Sequence, residues 1–383
     1  MKSATLVGYH GRQNLGDDIF FRIACNWLKQ HAKIDRVFVA GYKNHVPETY
    51  NGLQIQAFER QGFPVARFVW LQTFFYALRS KTLLFAAGSI FTIQPFFMAY
   101  LLLLLLRILK PSMPIVAFGV SIGPLRTNFD RYWCGKLLAL FHHIVLRDKE
   151  SELLLREINP SVQAYLAYDL ALTGESILTK SKLENPILGI SLNKNVYDIQ
   201  QQDGSGKTLE DNLVSAINSL TLEYPKLFVQ LLVVCVDQSD GDILTAERLK
   251  KRLAEMQITT EIVAYNGIDP NDFVRKLNQC AAIITSRMHT GILAMMHQVP
   301  VFQITYARKI PDFYAHCGLG QEGLYYPSKI DQLDIVSFVK QSLNNVEALS
   351  TERRRLQLKK CGEITTNILN EVAGLCYLRD ING

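Results

Sequence analysis

The sequence has no block of five or six consecutive basic residues, no CxxC pair, no HExxH and no cluster of His and Cys at metal-ligand spacing. Each absence excludes something. Without a basic block, a nucleic-acid groove is not indicated, and no nucleic-acid partner is expected. The seven cysteines are odd in number and lie mostly in apolar surroundings, as buried thiols in a reducing compartment do, so a cytoplasmic protein is expected. Nothing in the ligand pattern calls for a metal. The amino terminus, MKSATLVGYHG, has no basic segment followed by a long apolar one, so no secretory signal is expected. Residues 83–106 carry no charge, but Gly88-Ser89 and Gln94-Pro95 interrupt them. The unbroken apolar run, 96–106, is eleven residues and closes at Arg107 and Lys110. At ~1.5 Å per residue it covers roughly half of a hydrocarbon core, so a buried or interfacial helix is expected and not a span.

What is present is a chain of 383 residues, 48% hydrophobic and 20% charged, enough for two domains with their own cores. Its net charge of +6 suits an anionic small substrate or an anionic membrane surface. Strands are expected at 4–8, 37–40, 82–86, 115–120, 143–146 and 162–165, with helices at 17–30, 65–78, 95–109, 132–142 and 149–158. Residues 173–186 then lose apolar periodicity and carry turn formers, which puts a boundary between domains 1–178 and 179–383. A second series follows, with strands at 187–192, 228–235, 261–263, 282–285 and 301–304. Its helices fall near 208–224, 243–256, 269–279, 333–343 and 351–375. The alternation predicts an α/β protein of two Rossmann-like domains whose parallel sheets face a cleft. Ligands of such sheets bind outside the carboxyl ends of the strands.

Six segments fall at those ends. The first turn, GYHGRQNLGDD (8–18), has Gly8, Gly11 and Gly16 for close backbone approach, and a helix start whose N–H groups can cradle an anion. Its glycine spacing is not that of a dinucleotide turn, so no such cofactor is expected, and a plain turn with Asp17 capping the helix is the blander alternative. Gly88 and Ser89 end the strand at 82–86, and Ser121 follows the strand at 115–120; turns alone explain such residues equally well. Arg147 ends the strand at 143–146 beside Asp148, a cap for the next helix. Taken alone, such an arginine reads as a surface charge. In SRMHTG (286–291), Arg287 and His289 open a helix, where a protonated histidine needs an anion nearby. One strand later comes TYARK, ending at Lys309.

Together, GYHGRQNLGDDIF, AAGSIF, FGVSIGPL, LRDKES and TSRMHTGILAMMHQVPVFQITYARK resemble the polysaccharide pyruvyl transferase family, in its order and spacing over about residues 5–315. The first turn is bulkier than the Gly/Ser/Thr-rich form common in relatives. The resemblance implies two domains arranged as in GT-B glycosyltransferases. It implies transfer of a group from phosphoenolpyruvate onto two hydroxyls of a sugar, giving a pyruvate ketal and phosphate, without cofactor or metal. The sugar would belong to a cell-surface exopolysaccharide or its lipid-linked precursor. It carries roles onto Arg147, Arg287, His289 and Lys309, and it matches Asn14, Gly16 and Asp17. The chemistry suits them: arginine and lysine bind carboxylate and phosphate, His289 is the candidate acid/base, and Asp17 can orient or deprotonate an acceptor hydroxyl. Gly88, Ser89 and Ser121 are expected to line the acceptor side in the first domain, with the donor in the second. The competing reading is a glycosyltransferase with a nucleotide-sugar donor.

Two aromatic-rich helices, 63–78 and 95–109, are flanked by Arg67, Arg79, Lys81, Arg107 and Lys110. The first is expected to be exposed and the second to pack wholly under the sheet. Peripheral contact at the inner face of a membrane is the corresponding expectation.

Overall fold

The computed structural model describes residues 1–59, 66–92, 95–174, 185–197, 199, 206–236, 241–346 and 348–377. The chain forms two compact units that are not consecutive stretches. Unit 1 comprises Met1–Arg12, Gly16–Gly174 and Cys361–Gly383; unit 2 comprises Gln13–Leu15 and Glu175–Lys360. The expected boundary at 178/179 lies outside the described residues.

In unit 1 the elements are β1 (Ser3–His10), α1 (Leu15–Gln30), β2 (Arg36–Tyr42), β3 (Thr49–Tyr50), β4 (Leu53–Glu59) and α2 (Ala66–Leu78). They continue with β5 (Thr82–Ala86), α3 (Phe96–Leu109), β6 (Ile115–Val120), α4 (Asn128–Leu138), β7 (His143–Leu146), α5 (Lys149–Ile158) and β8 (Tyr165–Leu166). The sheet order is β3-β4-β2-β1-β5-β6-β7-β8, parallel except for the β3–β4 pair. β5 and β6 are buried at every position, and their sequences, TLLFA and IVAFGV, are the near-continuous apolar runs that a sheet covered on both faces requires. One face carries the core that Phe85, Ala117 and Val120 share with α2 to α5. Phe118, pointing the other way, meets Trp27 of α1 edge-on, with ring centroids 4.6 Å apart. Trp27 also donates its indole N–H to the Leu369 carbonyl at 3.2 Å.

Unit 2 runs β9 (Ile187–Ser191), α6 (Leu209–Glu223), β10 (Phe228–Val233), α7 (Ile243–Glu255), β11 (Thr260–Ala264) and α8 (Pro270–Asn278). Then come β12 (Ala282–Thr285), α9 (Met288–Met296), β13 (Val301–Ile304), α10 (Lys309–His316), β14 (Leu324–Tyr325) and α11 (Gln332–Leu343). The last helix, α12 (Ala348–Tyr377), starts in unit 2 and ends in unit 1. The sheet is wholly parallel, in the order β11-β10-β9-β12-β13-β14. Its helices start where the side chains say they should: Thr208 with Asp211, and Asp331 with Asp334, form reciprocal capping boxes, and Pro270 opens α8 after an Asp269 cap.

In both sheets the chain runs outward from the first strand, then returns to its other side. The reversals fall between β1 and β5 and between β9 and β12, the places where such sheets bind ligands.

Several elements differ from expectation. β4 and α10 were not expected, the strand expected at 162–165 is the pair Tyr165–Leu166, and α4 starts four residues early, at Asn128 behind a Thr127 cap. The larger correction is α3. It does not pack wholly under the sheet: Phe96, Ala99, Leu103 and Leu106 are buried, whereas Phe97, Leu101, Leu105, Ile108 and Leu109 face outward.

Candidate active site

Four of the expected residues converge in unit 1, at the carboxyl ends of β5, β6 and β7. Arg147 follows β7. Its Nε donates to Ser121 Oγ at 2.7 Å, its Nη1 to Asp169 Oδ2 at 2.9 Å and its Nη2 to Ser89 Oγ at 3.4 Å. The guanidinium lies against Gly88, where a Cβ would come within 2.6 to 2.8 Å of Nη1, Cζ and Nη2. Glycine at 88 is therefore what lets the planar group lie over the β5 turn. Ser121 Oγ in turn donates to Asp148 Oδ2 at 2.6 Å, and Asp148 Oδ1 caps α5 by accepting from Ser151 N at 2.8 Å.

Arg147 is not the surface charge that it reads as in isolation. Its side chain is 9% exposed and that of Asp169 is 1% exposed. A guanidinium this buried needs a counter-charge, and Asp169 supplies it. Asp169 was missed by the sequence reading; the signal was a single carboxylate inside the apolar segment AYDLAL. Its second oxygen accepts from Ala171 N at 3.0 Å, which fixes the carboxylate.

The first turn is divided. Asn14 bridges to Cys235, Leu15 N donates to Val234 O at 3.0 Å and Val236 N to Gln13 O at 3.1 Å, so residues 13–15 pair with the chain that leaves β10 in unit 2. Gly16 and Asp17 belong to unit 1. The first turn of α1 carries Asp17 and Asp18, and Asp18 is buried. Two carboxylates complement that helix start, which makes it a better neighbour for a hydroxyl than for an anion. Just before it, burial pushes the His10 imidazole down to a pKa of about 3, against a backbone hydrogen bond at Asp17.

In unit 2, hydroxyls tie the ends of β9 and β12 together. Thr285 Oγ1 donates to Ser191 O at 2.9 Å, and Ser286 Oγ accepts from Asn193 N at 2.8 Å. Arg287 then stands at the cap position of α9, and His289 is half-buried in its first turn. Arg287 Nε donates to both carboxylate oxygens of Asp242 at 3.0 Å, and Nη2 makes a further contact to Oδ1. The Asp242 side chain is 2% exposed and that of Arg287 is 15% exposed. Burial pushes the Asp242 carboxyl above the usual carboxylate range, and Arg287 opposes that rise. Asp242 was also missed: VDQSDGDIL holds three aspartates, and nothing in their spacing marks the one that meets the arginine.

Gly291 explains the end of the SRMHTG motif. A Cβ there would lie 2.0 Å from Gln303 Oε1, and Gln303 Nε2 donates to Thr285 O at 3.1 Å. The glycine lets α9 settle against β13. Lys309 opens α10 and is exposed; it follows β13, the strand next to β12, so the expected adjacency of the two strand ends is present. Among the described residues, no group of three or more His, Cys, Asp or Glu side chains is placed to hold a metal ion.

Comparison with known proteins agrees with this architecture. No curated protein sequence matches the chain significantly. Among solved structures, the UDP-GlcNAc 2-epimerase from Neisseria meningitidis superposes with a TM-score of 0.57 at 12% identity, covering 97% of this chain and 100% of its own. S. aureus MnaA gives 0.58 at 14% identity, with coverage of 97% and 96%. Anabaena Alr3699/HepE gives 0.61 at 10% identity, with coverage of 98% and 99%. At such identities the likeness is one of fold, here the GT-B type. The sequence itself is matched over residues 14–308 by the family model described as polysaccharide pyruvyl transferase. That match takes in Asn14, Gly16, Asp17, Gly88, Ser89, Ser121, Arg147, Arg287 and His289 and stops one residue short of Lys309, and on it this chain belongs to the polysaccharide pyruvyl transferase family, a family of transferase enzymes.

Proposed function

We propose that the protein transfers a pyruvyl group from phosphoenolpyruvate to two hydroxyls of one sugar, in a cell-surface polysaccharide or its lipid-linked precursor. The single observation that carries this reading is the start of α9, where an aspartate-held Arg287 and the half-buried His289 stand together at the switch point of the unit 2 sheet. Phosphoenolpyruvate offers a carboxylate and a phosphate. A guanidinium whose plane is already fixed loses little freedom on binding either one. Arg287 and Lys309 are assigned to the donor's anionic groups, with Arg147 as a further anion ligand.

In the reaction, a proton is delivered to C3 of the enol, forming the methyl group, and a sugar hydroxyl bonds to C2. The C2–O bond to phosphate then breaks, and a second hydroxyl closes the ketal. The two hydroxyl protons balance the one gained at C3 and the one leaving with phosphate. His289 is the acid that delivers the C3 proton. Asp17 orients an acceptor hydroxyl, with Asn14, Gly16, Gly88, Ser89 and Ser121 as further substrate contacts. As written, the reaction uses no metal and no cofactor. We place it on the cytoplasmic side of the envelope; six of the seven cysteines are buried free thiols, which suits a reducing compartment.

The test is phosphate release from phosphoenolpyruvate in the presence of a panel of lipid-linked and nitrophenyl glycosides, with the ketal methyl group read by NMR. Release of a nucleoside phosphate from a nucleotide sugar, with phosphoenolpyruvate inert, would replace this reading by the glycosyltransferase one.

A further inference from the structure

Unit 1 exposes an apolar surface that its own fold does not use. The outward stripe of α3 is Phe97, Leu101, Leu105, Ile108 and Leu109, between 43% and 67% exposed. On α2, Phe68, Leu71 and Phe75 are 41% to 55% exposed, and on α4, Phe129 and Tyr132 are 62% and 56% exposed. The three helices lie side by side on one face of the sheet. Trp133 joins two of the stripes: its ring centroid is 4.6 Å from that of Phe97, 6.1 Å from that of Phe129 and 5.1 Å from that of Tyr132. Large apolar side chains of ~150–250 Å² each, about half exposed, give roughly 900 Å² in all. That exceeds the largest apolar patch of an ordinary monomer, about 300–600 Å².

The charge pattern names the occupant. Residues 60–129 contain seven Lys and Arg and no Asp or Glu, in a chain with 35 acidic residues. Four of the seven sit where α2 and α3 end: Arg79, Lys81, Arg107 and Lys110. Lys110 Nζ donates to Leu78 O at 3.2 Å and also meets Ser80 O, which draws the two helix ends together. Burial and then Lys81 hold the Lys110 amine below its ordinary pKa. Asp130, the acidic residue that closes this stretch, accepts from Thr127 Oγ1 at 2.8 Å in the first turn of α4. Beyond it on α5, Glu157 pairs with Arg131.

We propose that the outer face of α2, α3 and α4 docks on an anionic phospholipid surface, with the apolar stripes in the interface and the basic helix ends against the headgroups. A second copy of the chain fits less well, because residues 60–129 of a partner would offer the basic helix ends no carboxylate. The helices lie on the bilayer and do not cross it: among the described residues no helix is long and apolar enough to span. The use of this surface, to meet a lipid-linked acceptor, rests on the function proposed above; the binding itself does not.

The experiment is flotation of the full chain, without detergent, with vesicles of phosphatidylcholine alone and with added phosphatidylglycerol. Wild type should float with the anionic vesicles at low salt and be partly released at high salt. The double variant Leu101→Glu/Leu105→Glu should lose partitioning by about tenfold or more. Leu222→Glu, at a 75% exposed position on α6, should not. Unchanged urea midpoints establish that each variant is folded. Wild type remaining at the bottom with anionic vesicles at low salt overturns the proposal. So does equal flotation of the double variant. Wild type that never floats, but forms a dimer the double variant lacks, would assign the face to a second copy instead. Turnover of a soluble glycoside with phosphoenolpyruvate should be the same in wild type and double variant. Flotation without turnover would sink the function and leave the docking; turnover without flotation would do the reverse.

Discussion

Asp242→Ala is the most informative single substitution in unit 2. It removes a carboxylate whose side chain is 2% exposed and leaves a guanidinium that is 15% exposed without that counter-charge. Breaking a buried pair from one side costs about 3–5 kcal/mol, because the surviving charge stays desolvated. For a unit of this size ~1 kcal/mol shifts the melting temperature by about 2–4 °C, so the transition of unit 2 should fall by roughly 6–20 °C. Asp242→Asn should cost less, since it keeps an acceptor oxygen for Nε. Removing both charges, as Asp242→Leu with Arg287→Met, should recover most of the loss, because paired apolar groups of similar volume replace a buried ion pair at little cost. Catalysis should not recover, because the guanidinium assigned above to the donor is gone. Calorimetry on Asp242→Leu, Arg287→Met and their combination, with phosphate release as the second readout, completes a double-mutant cycle. A single Asp242→Ala that melts within about 1 °C of wild type would show that the ion pair is not what holds the start of α9, and the argument would fail.

His289→Ala is expected to lower turnover by ~10²–10⁴ with an unchanged melting temperature; a near-normal rate in the folded variant would remove His289 from the chemistry. Arg287→Lys keeps a positive charge but cannot bond both oxygens of Asp242, so phosphoenolpyruvate affinity by calorimetry should drop markedly, and an unchanged affinity would place the donor elsewhere. Gly88→Ala drives a Cβ to within 2.8 Å of the Arg147 guanidinium, so turnover should fall; combining it with Arg147→Ala should add no further loss, and additive losses would refute the contact as the cause. His10 is neutral in the folded protein, with its pKa depressed by burial to about 3, and it protonates near 6.5 when unfolded. Its stabilisation is complete above that unfolded value and is lost as pH falls toward 3, at up to about 1.4 kcal/mol per pH unit. Urea midpoints at pH 7.5 and 5 should therefore differ more for wild type than for His10→Phe, and equal differences would mean that another group titrates.

Elements whose burial is uniform were legible in the sequence. The strands at 82–86, 115–120, 143–146, 282–285 and 301–304 fall on β5, β6, β7, β12 and β13, because a strand covered on both faces shows as an uninterrupted apolar run between turn residues. β4 was not legible for the opposite reason. It sits near the sheet edge, with Gln54 and Gln56 exposed between buried Leu53 and Ile55, and its seven residues give only a short alternation. The exposed stripe of α3 was illegible in principle. Leucines at 101 to 106 point in all directions around the helix, so no periodicity separates the face on the sheet from the face on solvent; only the packing does that.

The candidate site divides along the same line. Residues that had to stand at strand ends were readable from position, since Gly88, Ser89, Ser121, Arg147 and Arg287 each follow a legible strand. Their partners were not. Asp169 and Asp242 lie 22 and 45 residues from the arginines they bind, one on a 3₁₀ turn and the other at the start of α7. No local pattern links an acid to a base at such separations. What does link them is desolvation: both guanidiniums are largely buried, a buried guanidinium without a counter-charge is costly, and each unit therefore has to supply a buried carboxylate somewhere along its chain. The sign and burial of the missing partner followed from physical chemistry once Arg147 and Arg287 were placed inside; only its address required the structure. Both arginines are thus held as half of a neutral, oriented pair. On the proposed function each would offer a donor anion a fixed plane of N–H groups more than a bare charge, which is why the conservative change Arg287→Lys is expected to weaken donor binding.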